Sequence, residues 1–302
     1  MNTETQPDIR ARRRNRLWLN IALLIGLIVV LFLLDAFYTS LNQQTTVLAG
    51  EPGNLLYAAG FDGFEDEWQQ STGRDAKEII DGAMQISVES SATIYSAVDP
   101  TFADFDVSVD ATPIDGSEAN EGYGIVFRLQ EPATTCNMPL RILCDISTVG
   151  IFSTLNLLFP PTSSTPTSYA VFLISNDGYY SLWHTDESGQ AVKATIWHYS
   201  DGLINEGLDA TNRVRVVGIG NDFRFFINGE QVTLCVPNPG EQPTGSATDC
   251  QGEETQVWHA TDIAPTGKLG VVVNTDRYPG SVIAFDAFVV YSPGLSDNAE
   301  SA

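Results

Sequence analysis

Tyr180, Trp183, Trp197, His198 and Tyr199 stand close together in this chain and are the side chains best suited to hold a sugar. A pyranose ring has an apolar face that packs on a flat aromatic ring, and a rim of hydroxyls that pairs with planar polar groups. Trp258 adds a ring in a stretch rich in Pro and Gly, where a side chain is more accessible than in a strand. Arg128 and Arg215 read as standing on outward faces of strands, free to meet a ligand or to pair with Asp106 or Asp110 on a neighbouring strand. The opposing reading is packing, because most aromatics of a many-stranded sandwich are core.

No constellation names a reaction. Glu65, Asp66 and Glu67 are adjacent, so they cannot all share one face of a strand. Asp106 and Asp110 do share a face, two alternations apart. There is no G-x-S-x-G, and the only histidines are His184, His198 and His259. No catalytic residue is assigned.

The elements that must position these side chains read as strands. FADFDVSVDA (102–111) alternates, with Phe105, Val107 and Val109 facing one way and Asp106, Ser108 and Asp110 the other. EGYGIVFR (121–128) sets Tyr123, Ile125 and Phe127 on one face. YAVFLISNDGYYSLW (169–183) is two strands around Asn176-Asp177-Gly178, a hairpin signal. VRVVGIGNDFRFFINGE (214–230) holds a second hairpin and then a turn at Asn228-Gly229. GKLGVVV (267–273) and SVIAFDAFVVY (281–291) close the pattern. Ten to twelve half-buried strands without an amphipathic helix predict an antiparallel sandwich.

The order of GFDGFEDEW (60–68), these strands, Trp197, Asn212-Arg213, the NGE turn, G-x-L-G-V and FDAFVV resembles the concanavalin-A-like jelly rolls. The nearest likeness is to laminin-G-like domains and to bacterial domains of the family-sixteen-like or 3-keto-disaccharide hydrolase kind. It covers most of residues 55–293. The resemblance implies two sheets of about six strands, with the curved inner sheet often used for sugars, in anchored extracellular bacterial modules. The E-x-D-x-x-E acid motif of the family-sixteen hydrolases is absent. If the first and last strands pair as the resemblance implies, Asp62 and Asp286 approach each other and offer hard oxygens to a structural calcium; capping of turns is the plainer role. No other cofactor is expected.

Two stretches exceed a minimal jelly roll, 129–168 and 235–262, and they hold all four cysteines. Local pairing, Cys136–Cys144 and Cys235–Cys250, would staple each insertion; cross-pairing would require the insertions to meet. Zinc is the weaker alternative, since neither pair has C-x-x-C spacing. VGIFSTLNLLFPP (149–161) is apolar for a loop and reads as a partner- or membrane-contacting surface, or as packing over an open end of the sandwich.

Acidic residues outnumber basic ones 38 to 15, a net charge of −23, which excludes a nucleic-acid binder working by phosphate neutralisation. The exception is residues 1–16, where Arg10, Arg12, Arg13, Arg14 and Arg16 face only Glu4 and Asp8. Residues 17–34 follow with Asn20 as their only polar member. The expectation is a signal anchor over residues 17–38, with 1–16 cytoplasmic and the rest extracellular. A cleaved signal peptide is the rival, but its apolar run is shorter. Residues 39–54 read as a stalk, 55–293 as the ectodomain and 294–302 as a flexible tail. The expected whole is one N-terminal transmembrane helix followed by an all-β jelly roll, a membrane-anchored, non-catalytic carbohydrate-binding module. A glycoside hydrolase with an unrecognised acid pair, or an ectodomain that binds a cell-surface protein, are the alternatives.

Overall fold

The computed structural model describes residues 18, 20–34, 45–62, 67–116, 121–131, 167–186, 188–238, 246–275 and 280–294. Residues 1–16, Glu65, Asp66, Cys136, Cys144, the 149–161 segment and 295–302 lie outside them. The chain divides into two units, Met1–Gln43 with Ala133–Thr165, and Gln44–Pro132 with Pro166–Ala302. In the first, residues 20–34 are helical and expose apolar side chains such as Leu23, Leu27 and Leu33. Among the described residues no helix is long and apolar enough to cross a membrane.

In the second unit the described residues form twenty strands: β1 (Thr46–Val47), β2 (Leu55–Ala59), β3 (Asp75–Ile80), β4 (Ala83–Val88), β5 (Ala92–Phe102), β6 (Phe105–Asp115), β7 (Glu121–Gln130), β8 (Ser168–Ile174), β9 (Tyr179–Thr185), β10 (Ala191–Lys193), β11 (Trp197–Tyr199), β12 (Asn212–Ile219), β13 (Asp222–Ile227), β14 (Glu230–Gln231), β15 (Leu234–Val236), β16 (Ser246–Ala247), β17 (Glu253–Thr255), β18 (Trp258–His259), β19 (Gly267–Thr275) and β20 (Ser281–Tyr291). One nine-stranded sheet runs β1-β5-β19-β7-β8-β9-β11-β16, with β10 on β9. The other runs β14-β13-β12-β6-β20-β4-β3, with β18 on β13 and β2 on β20. The chain crosses repeatedly between them, as in a jelly-roll sandwich. The expected hairpins form at β8–β9 and β12–β13. Asn228 and Gly229 both take positive φ, the geometry of a two-residue hairpin turn.

The core lies between the sheets. Phe105, Val107 and Val109 of β6 face Tyr123, Ile125 and Phe127 of β7 within one buried cluster. The outward face of the second sheet is polar: Arg215 holds Asp106 through two bonds of 2.6 and 2.7 Å, and Arg213 holds Asp110. The first sheet is apolar on both faces. Its outer face carries a second cluster of Ala97, Val126, Leu129, Val171, Leu173 and Val272, flanked by Tyr95, Tyr169, Trp183 and Trp197.

Arg128 departs from the alternation. It is 1% exposed rather than outward-facing, and its φ is +54°. A register shift falls here, between Phe127 and Gln130 against β8. The bulge turns two successive residues, Phe127 and Arg128, to the inner side. The guanidinium lies 5.4 Å from the Phe105 ring centre and 5.6 Å from that of Phe223. It donates to the carbonyls of Phe102 (3.1 Å), Gly220 (2.8 Å) and Pro265. Burial lowers its pKa to about 10, partly offset by Asp104, so it stays charged at neutral pH.

The segment read as a stalk is in part sandwich. β1 pairs in parallel with the end of β5, Thr46 opposite Thr101. Gly53 and Asn54 exchange backbone bonds with Ser292, at 2.9 and 2.8 Å. A two-residue strand is too short for alternation to reveal.

Arg128→Met leaves the buried Phe102 carbonyl without this donor, while the carbonyls of Gly220 and Pro265, on exposed residues, can turn to water. One buried group left unpaired costs about 1–3 kcal/mol. The variant is expected to lose an amount in that range in urea unfolding; a change below about 0.5 kcal/mol, the scale of ordinary surface substitutions, contradicts the clamp.

Candidate functional site

The site is assembled near the edge of the sandwich where β11 and then β16 follow β9 in the first sheet. β9 and β11 pair with Tyr180 opposite His198 and Tyr179 opposite Tyr199. Cross-strand partners share a face, so Tyr180 and His198 both turn inward, their rings 5.6 Å apart. The Tyr180 hydroxyl donates to the Thr233 carbonyl at 2.6 Å and lies 3.2 Å from His198 Nδ1. With its one proton committed to Thr233, the hydroxyl accepts from Nδ1–H. That fixes the tautomer and leaves Nε2 as an acceptor.

The 235–262 insertion closes this edge. Its β16 extends the first sheet from β11, and its β18 extends the second from β13. β15 and β17 pair with each other. The Cys235–Cys250 disulfide, expected from sequence, ties the start of the insertion to its middle. Between the insertion and β9–β11 is a cavity of about 380 Å³, lined by Tyr180, His198, Tyr199, Asp201, Gln231 and Glu254, with Val232, Thr233 and both cysteines among its other walls. Tyr180, Val232 and Cys235 are buried at its floor, whereas Asp201 and Glu254 are exposed at its mouth.

Local geometry seats the Tyr199 wall. The β8–β9 turn passes through Gly178 at φ +88°. A β-carbon there would stand 2.8 Å from Tyr199 Cε2, so only glycine lets that ring close on the turn. The Tyr199 hydroxyl donates to Glu206 at 3.0 Å. The Tyr180 hydroxyl is pushed up to about 12, first by burial and then by the charges of Asp201 and Glu254. Both carboxylates therefore act on the cavity floor.

The structure splits the sequence candidates. Tyr180, His198 and Tyr199 line the cavity. Trp183 and Trp197, on the same strands, point to the opposite side, onto the outer apolar cluster. Trp183 Nε1 donates to Ser181 at 2.8 Å, and Lys193 lies over its ring. Trp197 covers Gly122, where a β-carbon would meet its Cη2 at 3.0 Å. Val126, Leu173 and Val272 at the centre of that face have no solvent exposure, so it is not an open groove. Trp258 is half-buried on Phe223, at 5.5 Å, and His184, at 5.7 Å. Arg128 is the buried clamp and Arg215 pairs with Asp106. Neither reaches the cavity.

Asp201 and Glu254 were missed by sequence reasoning. Asp201 opens a turn straight after Trp197-His198-Tyr199, and Glu254 follows Cys250 by four residues. Taking the cysteine pair together with the aromatic run would have brought both to one place. For calcium, β2 and β20 do pair, but the pairing runs only as far as Ala59 opposite Phe288. Asp286 accepts from Ala287 N at 2.6 Å. Among the described residues no three His, Cys, Asp or Glu side chains gather to hold a metal ion.

No family model matches the chain, and no curated protein does. Among solved structures it is similar to the carbohydrate-binding module CBM66 from Bacillus subtilis, with 12% identity over 75% of this chain and 96% of that one, TM-score 0.45. It is also similar to a Bacillus subtilis protein of unknown function with a galectin-like fold, with 14% identity over 80% and 97%, TM-score 0.47. A third is a Bacillus licheniformis beta-glucanase, with 11% identity over 80% and 99%, TM-score 0.42. The sandwich itself rests on the strand pairing above.

Two measurements check this site. Tyr180 has a folded pKa above that of the unfolded chain, so its contribution is complete below about pH 10 and is lost as pH rises through about 12. The stability gap between the protein and Tyr180→Phe should therefore narrow between those values in denaturant titrations; a constant gap contradicts the burial. Replacing Cys235 and Cys250 by serine should cost up to about 3 kcal/mol for a loop of this length. It should also speed hydrogen exchange in β15 and β17, and unchanged exchange there would show that the disulfide does not hold this wall.

Proposed function

We propose that this chain is an anchored, extracytoplasmic, non-catalytic carbohydrate-binding module whose ligand site is the cavity between β9–β11 and the disulfide-tied insertion. The observation that carries the reading is the cavity itself. Its volume of about 380 Å³ lies within the range of small-molecule sites. Tyr199 and His198 offer flat surfaces to a sugar ring above the buried Tyr180, and polar groups sit at the rim. Residues 17–38, flanked by the arginines at 10–16, are the membrane anchor in this reading, with the sandwich outside. The exposed leucines of the 20–34 helix support it, since such a surface is costly in water.

One observation favours a second reading. Asp201 and Glu254 stand on the same cavity, as a glycosidase's acid pair would. Release of reducing ends from a polysaccharide, lost in Asp201→Asn and in Glu254→Gln, would establish that reading instead.

The test uses the full chain in detergent micelles on a broad glycan array, followed by calorimetry of the sugars retained. His198→Ala and Tyr199→Ala should each weaken binding about tenfold, the loss of roughly 1.4 kcal/mol. Full retention of affinity by both variants would move the site elsewhere. Carbonate extraction of cells should leave the protein in the membrane pellet, whereas release into the supernatant rejects the anchor.

A further inference from the structure

The cavity is rich in acceptors. Its lining contains no Lys or Arg. The Tyr180 proton is committed to Thr233, and His198 presents Nε2 as an acceptor once Nδ1 donates to Tyr180. Gln231 Nε2 donates to the Gln256 carbonyl at 3.0 Å. At the mouth, the Asp201 and Glu254 carboxylates have no hydrogen-bond or ion-pair partner among the described residues, and of the exposed carboxylates in that state these two line the cavity. Glu206, close by, instead accepts from Tyr199. A ligand entering here meets two unpaired carboxylates before it reaches an aromatic floor.

Resting on the sugar-binding reading above, we infer that the ligand is a saccharide bearing a free, protonated amine, whose ammonium group pairs with Asp201 and Glu254 at the mouth while the sugar ring occupies the cavity lined by His198 and Tyr199. An ammonium supplies donors to acceptors that have none. Its charge is opposite to that of the whole mouth. Uronic and other acidic sugars are excluded by the same charge, and an acetylated nitrogen forfeits both the charge and two donors.

The experiment compares three β-1,4-linked disaccharides with the same ring skeleton, namely the diamine of glucosamine, its N,N′-diacetyl form and cellobiose. Calorimetry is done on the full chain in micelles near neutral pH, where amines are still largely protonated, carboxylates are ionised and an imidazole is largely neutral. The diamine should bind about tenfold or more tightly than either neutral sugar, and the preference should shrink with added salt as the charges are screened. The double variant Asp201→Asn, Glu254→Gln should abolish the ratio between diamine and cellobiose. Equal affinities for the three sugars, or a ratio that survives the double variant, would overturn the amine inference while leaving a sugar site in place. Absence of binding by all three, with the chain folded, would overturn the inference and the sugar reading of this cavity together.

Discussion

A guanidinium sealed away from water imposes its needs on the chain around it. Burying such a charge is costly unless its donors find acceptors, so Arg128, whose two terminal nitrogens take three carbonyls while Nε has no partner, dictates where three separate segments pass. Phe102 ends β5 and Pro265 precedes β19, neighbours in one sheet; Gly220 lies in the β12–β13 turn of the other. The two sheets are thereby pinned in register at that point. Only the bulge, with a non-glycine residue held at positive φ, aims the side chain inward.

With that point fixed by side-chain chemistry, the β11 edge is closed in a different way. A sandwich must cover or pair its edges. Here the insertion between Cys235 and Asp262 pairs with both sheets, and a disulfide ties its start to its middle. Strands as short as β16 and β18 supply few backbone bonds, so they close the edge without filling it. The space left over is the cavity. The segment that completes the fold thus also forms the wall of the site.

What could be read from the sequence follows from which rule each residue obeys. β6 alternates because one face is core and the other carries Asp106 and Asp110, and it was read correctly. Its arginine partners were half read: Arg215 does cross to Asp106, but Arg213 takes Asp110. Arg128 was misread because alternation assumes no bulge. Trp183 and Trp197 were grouped with Tyr180 and His198 because the first sheet is apolar on both faces, which removes the contrast that assigns a face. The sugar candidates are therefore split, Tyr180 and His198 at the cavity and Trp183 and Trp197 on the outer cluster. Asp201 and Glu254 were invisible for another reason: in a chain with 38 acidic residues, two more carboxylates in turn-like stretches carry no signal until the fold brings them together.

That excess of acid is informative only once its members are sorted by what they do. Asp75 is held low chiefly by its bond from Ser90, and Asp186 chiefly by its bond from Ser188. Asp104 caps the turn at Gly220, and Glu131 accepts from the buried Lys268 at 2.9 Å. These carboxylates complete backbone turns or balance a buried cation. They are accounted for by folding alone. Asp201 and Glu254 have no such role: their carboxylates line the cavity mouth without a partner among the described residues. Net charge alone would suggest only solubility; what bears on a ligand is that these two carboxylates stand on a cavity rather than on open surface.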